Sequence, residues 1–224
     1  MAPHTRPDRI AALAALDDPI RRAVFDFVAR SGVAVSRDVA ADAVNVSRRV
    51  AAFNLDRLAE QGLLSVEYRR PAGRTGPGAG RPTKFYLRIE GEVAVSIPER
   101  HYELAGGLLA AAVADSINTG TPIEQALERT ANEAGQAIGA EAGDVLTALE
   151  QLGYEPRQQD QASGAVALGN CPFHLLAQQH TQLVCGINLH LLRGVAEGAG
   201  DDAHLVVLDP SPGQCCVRLH PAPL

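Results

Sequence analysis

The chain has 224 residues, 46% of them hydrophobic, enough to bury one large core or two small ones. Its overall charge of −6 hides a division: residues 1–88 carry 15 Lys+Arg against 9 Asp+Glu, and residues 89–224 carry 5 against 17. A basic first part ahead of a strongly acidic remainder argues for separate domains, with a polyanion partner for the first alone. No run approaches the roughly 18 apolar residues of a membrane span, and the opening MAPHTRPD lacks the apolar core of a signal peptide. A cytoplasmic protein with no membrane partner is expected. In a reducing cytosol its four cysteines read as buried fillers, metal ligands or redox groups rather than structural disulfides.

In chain order, Pro19 suits the first turn of a helix over residues 20–29, capped by Asp17 or Asp18, with Ile20, Val24, Phe27 and Val28 as its apolar stripe. Ser31-Gly32 ends it. Ser36 caps a short helix to Ala43, in which Val39, Ala40 and Ala43 are expected to face inward; Asn45-Val46 turns, and Ser47 caps the next helix. Two short helices around a tight turn form a helix-turn-helix pattern. In SRRVAAFNLDRLAEQGLL, Ala51, Leu55 and Leu58 mark the core side and Gly62 the stop. Strands follow at residues 64–70 and 83–88, joined by the basic tip PAGRTGPGAGRP, a hairpin placed where a wing belongs.

On this phasing Ser47, Arg48, Arg49, Phe53 and Asn54 are the recognition-helix candidates for double-stranded DNA, with the two arginines in the first turn, from which base edges are usually reached. Arg69, Arg70, Arg74, Arg81 and Lys84 are the hairpin candidates for phosphate or minor-groove contact. Residues 17–88 resemble the winged helix-turn-helix of the ArsR-like regulators in DPIRRAVFDFV, LDRLAEQGLL and GRPTKFY. The likeness implies DNA binding, with Asn54 standing where such proteins often carry a histidine.

Beyond residue 88 the Ala-rich run LAGGLLAAAVADSI reads as a helix suited to close packing, a candidate contact for a homodimer. Thr121 to Glu124 has the form of a capping box opening a helix to about Ile138, and residues 140–152 form another. A strand at 165–168, helices at 175–180 and 181–196, and strands at 203–208 and 215–219 complete an α+β unit. The expected architecture is mainly α with α+β: a winged helix-turn-helix over 1–90, a helical dimerisation or linker region over 91–153, and a cysteine-containing α+β sensor domain over 154–224.

Cys171 sits at a strand-to-helix turn, Cys185 one turn into a helix, and Cys215 and Cys216 on the last strand, so three elements can converge. Successive strand side chains face opposite ways, which sends one of Cys215 and Cys216 to a shared site and the other into the core. Such a soft donor set suits an iron-sulfur cluster or zinc, with His174 the nearest further ligand and His180 or His190 behind it. The runs NCPFHLLAQQHTQLVCGINLHLLRGV and LDPSPGQCCVRL resemble the SufR-type branch of these regulators, the iron-sulfur-responsive repressors. That likeness implies a repressor with Cys171, Cys185 and one of Cys215 or Cys216 as cluster ligands. A further cysteine of that branch is missing here, its region reading Glu197-Gly-Ala-Gly-Asp-Asp202. The other reading keeps DNA binding and gives the second half an organic effector, with structural cysteines. No nucleophile elbow, P-loop or HExxH is present, so no enzyme is expected.

Overall fold

The computed structural model describes residues 5–69, 82–159, 164–211 and 213–222. The protein is mixed α+β with two small antiparallel sheets, and it divides into two compact units, Met1–Val95 and Ser96–Leu224. The helical region expected as a separate middle segment belongs to the second unit. Among the described residues, no helix is long and apolar enough to cross a membrane.

The first unit opens with α1 (Arg6–Ala15), a helix that the sequence reading missed. Thr5 and Asp8 form a capping box there, but only Ala12 and Ala15 are buried, too little periodicity to draw attention. Helix α2 (Pro19–Ser31) starts where Asp18 accepts the Arg21 N–H at 2.8 Å and ends at Gly32 in the left-handed region. Strand β1 (Val35–Ser36) leads into α3 (Arg37–Ala43), the Asn45 turn and α4 (Arg48–Glu60), and the Val46 N–H closes that turn on the Ala41 carbonyl. In α3 it is Ala40 and Ala41 that are buried; Val39 and Ala43 face outward, because at about 100° per residue they fall on the side away from the direction that residues 40 and 41 share. Strands β2 (Leu64–Arg69) and β3 (Thr83–Arg88) pair with Val66 opposite Tyr86, in sheet order β1-β3-β2. Val24, Val28, Ala51, Leu55, Leu58 and Tyr86 form the core.

The second unit contains α5 (Tyr102–Thr119), α6 (Ile123–Ala142), α7 (Val145–Gln151), α8 (His174–Gln179) and α9 (Thr181–Gly198). Strands β4 (Pro156–Gln158), β5 (Val166–Leu168), β6 (His204–Leu208) and β7 (Val217–Pro221) make an antiparallel sheet in the order β4-β5-β7-β6. The expected capping box at Thr121 is not formed: Pro122 occupies the cap position, and the Thr121 hydroxyl bonds that of Thr119. Helix α6 runs four residues past Ile138 before Gly143 ends it, and Asp144 then caps α7 through the Thr147 N–H at 2.9 Å.

Helices α6 and α9 lie side by side, in parallel, in backbone contact. A methyl group placed on Gly135 would stand 2.0 Å from the Leu191 carbonyl oxygen, and one on Gly139 2.1 Å from that of Val195. Across the contact, Gly194 and Gly198 meet the Asn132 and Gln136 carbonyls in the same way, each at 2.1 Å. No rotamer relieves a Cβ clash with backbone, so these positions admit glycine alone. At the far end of the contact, Asn132 and Gln136 both donate to the Glu197 carboxylate, at 3.1 and 2.9 Å, which holds its pKa below the ordinary value.

Gly194→Val is expected to destabilise the protein by about 3 kcal/mol, the upper range for overpacking. Gly186→Ala, on the same helix with open space around it, is expected to stabilise by roughly 0.5–1 kcal/mol. Urea unfolding of the two variants checks both signs.

Candidate functional site

Two groups of residues stand out, one in each unit. On α4, the Ser47 hydroxyl accepts the Val50 N–H at 3.3 Å and so serves as the cap. The buried side of the helix is fixed by polar contacts as well as by leucines. Asn54 is buried, its carbonyl oxygen accepting the Arg21 Nε–H at 3.1 Å and its amide donating to the Val50 carbonyl at 3.0 Å. It is therefore an internal tie between α2 and α4, a correction to its placement on the DNA face: residue 54 follows Ala51 by three positions and shares its inward sector. Asp56 accepts the Lys84 ammonium at 2.8 Å and the Tyr86 hydroxyl at 2.7 Å, anchoring α4 to β3. Burial pushes the Asp56 carboxyl up, but those two hydrogen bonds outweigh it and the pKa is lowered. Lys84 is thus engaged within the unit.

On the outer side of α4 the side chains are exposed. Arg48 and Arg49 are exposed; Arg48 pairs with Asp38 at 2.6 Å, a surface contact worth well under about 1 kcal/mol, and Arg49 has no ion pair among the described residues. Phe53 leaves 64% of its surface in water and Val50 lies beside it one turn back. Arg69 pairs with Glu67 and lies over the Phe85 ring, 5.1 Å from its centre. Arg70, Arg74 and Arg81 lie outside the described residues.

The second group is built on α9. Cys185 and Asn188, one turn apart, face the bend that carries Cys215 and Cys216 just ahead of β7. Cys185 and Cys216 are joined in a disulfide, with Cα atoms 6.4 Å apart. This corrects the expectation of unbonded cysteines, which rested on compartment and not on geometry. Cys215 and Cys216, expected on the last strand, lie ahead of it: β7 begins only at Val217, so strand alternation does not divide them; Cys215 is buried in the core and, with Cys171, is a free thiol. The four cysteines therefore divide into one bonded pair and one thiol pair. Of the two members of the expected core-or-site choice, Cys216 is bonded to Cys185 and Cys215 is buried.

Fixed dipoles surround the thiol pair. The buried Tyr154 hydroxyl donates to Asn188 Oδ1, and Asn188 Nδ2 donates to Cys215 Sγ at 3.2 Å. The Cys171 carbonyl accepts from Arg100 at 3.3 Å, and the same guanidinium reaches Asn170 Oδ1. The hydrogen bond from Cys215, helped by the Phe173 N–H and the Arg100 charge, overrides burial and brings the Cys171 pKa down from 9.0 to about 7. Its partner moves the opposite way: the bond to Cys171 and burial push Cys215 well up.

His174 is exposed and its ring sits 3.1 Å from the Gln178 amide, while His190 faces Glu128 at 3.6 Å. Neither is placed with the sulfurs by these contacts, and among the described residues no group of three or more His, Cys, Asp or Glu is set to hold a metal ion. Asn188, Tyr154 and Arg100 escaped the sequence reading. Only Asn188 left a signal, an amide within the otherwise apolar run of α9 three residues after a cysteine. A scan against protein-family models, a search of curated proteins and a search of solved structures each give no match to this chain.

Iodoacetamide modification of Cys171, followed by mass spectrometry across pH, is expected to rise with a midpoint near 7 as the thiol ionises. Cys215→Ala removes the donor and should carry that midpoint upward. An unchanged midpoint in the variant would show that Cys215 does not set it.

Proposed function

We propose that the chain is a DNA-binding transcription regulator, a winged helix-turn-helix repressor of residues 1–95 governed by a cysteine site in residues 96–224. The observation that carries this reading is the division of labour on α4. Its inner side is tied down by Asn54, Leu55, Asp56 and Leu58, while Arg49, Val50 and Phe53 stand outward on the first two turns, Arg49 with no ion pair among the described residues. A helix of 13 residues is about 20 Å long, and the B-DNA major groove is about 12 Å wide and accepts such a helix. Arg49 would then reach guanine edges or phosphate, and Phe53 a thymine methyl. The antiparallel β2–β3 pair follows in the place of a wing, and the basic balance of residues 1–88 supports contact with phosphate.

The reading includes a homodimer, because a single 13-residue helix reads only a short half-site. Helix α5 offers the contact, with Val113 and Ile117 exposed on an apolar helix.

For the governing site, four thiols from three segments make a soft donor set that fits an iron-sulfur cluster or zinc chemically. The Cys185–Cys216 bond withdraws two of them, so loading with Cys171, Cys185, Cys215 and Cys216 as ligands belongs to the reduced form. A bound cluster or zinc would cross-link the turn before α8, helix α9 and the bend before β7. An organic effector is the second reading, favoured by an open cleft of about 370 Å³ between α6 and α9, lined by Glu124, Leu127, Glu128, Leu183, Ile187 and His190.

Selection from a random duplex library is expected to return an inverted repeat, bound with a steep salt dependence. Arg49→Ala should weaken that binding about tenfold and flatten the salt slope, for loss of one charge-bearing contact. A library that yields no enriched sequence would sink the DNA reading. Iron, zinc and sulfide analysis of protein prepared anaerobically under reduction separates the effectors: bound metal supports the thiolate site, and a colourless, metal-free protein supports the cleft.

A further inference from the structure

We propose that residues 96–101 are a strap that carries the state of the Cys185–Cys216 bond to the point where the chain crosses between the two units, with Asn170 and Arg100 as the positioning residues that hold it. The inference deepens the reading of the cysteine group as a governing site and rests on that reading for its effect on DNA; the coupling inside the second unit does not.

The chain passes from the first unit to the second between Val95 and Ser96. The stretch that follows has little apolar grip: its two apolar residues, Ile97 and Pro98, are exposed, Ile97 by 82%. Polar bonds hold it instead, and they converge on one buried amide. Asn170 Nδ2 donates to the Glu99 carbonyl at 3.0 Å and to the Gly153 carbonyl at 2.6 Å, while Asn170 Oδ1 accepts from Arg100 Nη1. That guanidinium nitrogen also lies within hydrogen-bond distance of the Cys171 and Glu99 carbonyls, at 3.3 and 3.0 Å. The Arg100 N–H closes the strap on Ser96 Oγ at 2.7 Å, and the His101 N–H reaches the Pro172 carbonyl at 3.2 Å just before α5 begins.

The same turn is tied to the disulfide. The Cys215 N–H donates to the Leu168 carbonyl at 3.0 Å, two residues before Asn170, and the next residue, Cys216, is bonded to Cys185. Asn170 has no slack with which to absorb a shift. Its side-chain donors and acceptor are engaged, and its own N–H donates to the Tyr154 carbonyl at 3.0 Å. A methyl group on Gly153 would stand 2.9 Å from Glu99 Cβ, so strap and turn are also in tight contact. Coupling of this kind needs contiguous contacts and an element with two discrete states. The contacts run from Cys216 through Cys215, Leu168 and Asn170 to Glu99 and Ser96, and the disulfide with its dithiol form is the two-state element. A dithiol reductant opens it by exchange: the S–S bond breaks, two electrons and two protons arrive on Cys185 and Cys216, and the reductant leaves as its own disulfide.

The test measures hydrogen exchange by mass spectrometry on full-length, metal-free protein, with and without dithiothreitol. Reduction should raise exchange at the Arg100 and His101 amides about tenfold, as expected for one weakened hydrogen bond, and leave α6 unchanged. Cys185→Ser/Cys216→Ser should show the raised rate from the start and no response to dithiothreitol. Arg100→Ala and Asn170→Ala should each raise the rate and remove the response; if loss of the buried amide prevents folding, the half-buried Arg100 carries the test alone. The proposal is overturned if both amides exchange equally in oxidised and reduced wild type, if the response survives Arg100→Ala, or if it spreads over α6 and α9 alike. These readouts contain no DNA, so a chain that binds no duplex would count against the proposed function and leave the strap standing. Where duplex is bound, reduction should shift the affinity of wild type and not that of Arg100→Ala; a shift kept by the variant overturns the strap.

Discussion

The contact on which residues 96–224 depend is made at its centre by backbone against backbone. Gly135 and Gly139 on α6 and Gly194 and Gly198 on α9 let the two backbones touch, carbonyl against Cα, over two turns. Close approach of this kind gains dispersion and weak Cα–H···O contacts of about 0.5–1 kcal/mol each. Its larger consequence is geometric. Only the glycine face of α9 fits the gap, so the rotation of α9 about its axis is fixed, and with it the directions of every other position. Leu192 and Val195 pack into the core over the sheet, and Asn188, one turn before Leu192, is carried to the same side and meets Cys215. Cys185, a further turn back, meets Cys216. The sulfur chemistry is thus positioned by glycines that lie several residues away from it.

A comparable economy operates on α4 in the first unit. Two polar residues, which composition alone would assign to the surface, are spent on its inner side: Asn54 ties it to α2 and Asp56 to β3. Tyr86 has its hydroxyl satisfied by Asp56, and burial together with that bond raises its pKa. Anchored on one side by hydrogen bonds that also specify register, the helix holds its opposite face rigidly without using any residue there. Two arginines in a first turn run against the helix dipole by a few tenths of a kcal/mol, which the Ser47 cap offsets. That small mismatch is what an anionic partner would relieve.

Much of this was legible because it rests on local rules. Caps at Asp18, Ser36 and Ser47, the stop at Gly32 and the Ala51-Leu55-Leu58 stripe are statements about neighbours three or four residues apart, and each holds. What stayed hidden depends on distant partners. The pattern around Asn54 does not reveal Arg21, 33 residues earlier. Four cysteines allow three complete pairings, and spacing alone prefers none of them. The glycines of α6 and α9 read singly as weak points in helices, and only together, 59 residues apart, do they become a contact. Sequence reasoning brought Cys171, Cys185 and the Cys215-Cys216 pair to one place, but which sulfur meets which was set by the rotation of α9 and by the bend before β7.

The division of the sulfurs bears on how such a site would act. A sulfur committed to a disulfide is no longer a thiolate ligand, so the Cys185–Cys216 bond and a four-thiolate metal site exclude each other. If a metal is held as proposed, occupancy and oxidation would be one variable written on the same residues: the disulfide joins α9 to the bend before β7, and a metal would join the turn before α8 as well. A disulfide contributes about 2–4 kcal/mol to stability, and shifting a two-state equilibrium enough to change a binding affinity tenfold to a hundredfold takes about 1.4–2.8 kcal/mol. The disulfide's contribution acts chiefly through the unfolded chain, so a change of binding would have to come from which segments each sulfur state joins, on a helix whose rotation the glycine contact fixes.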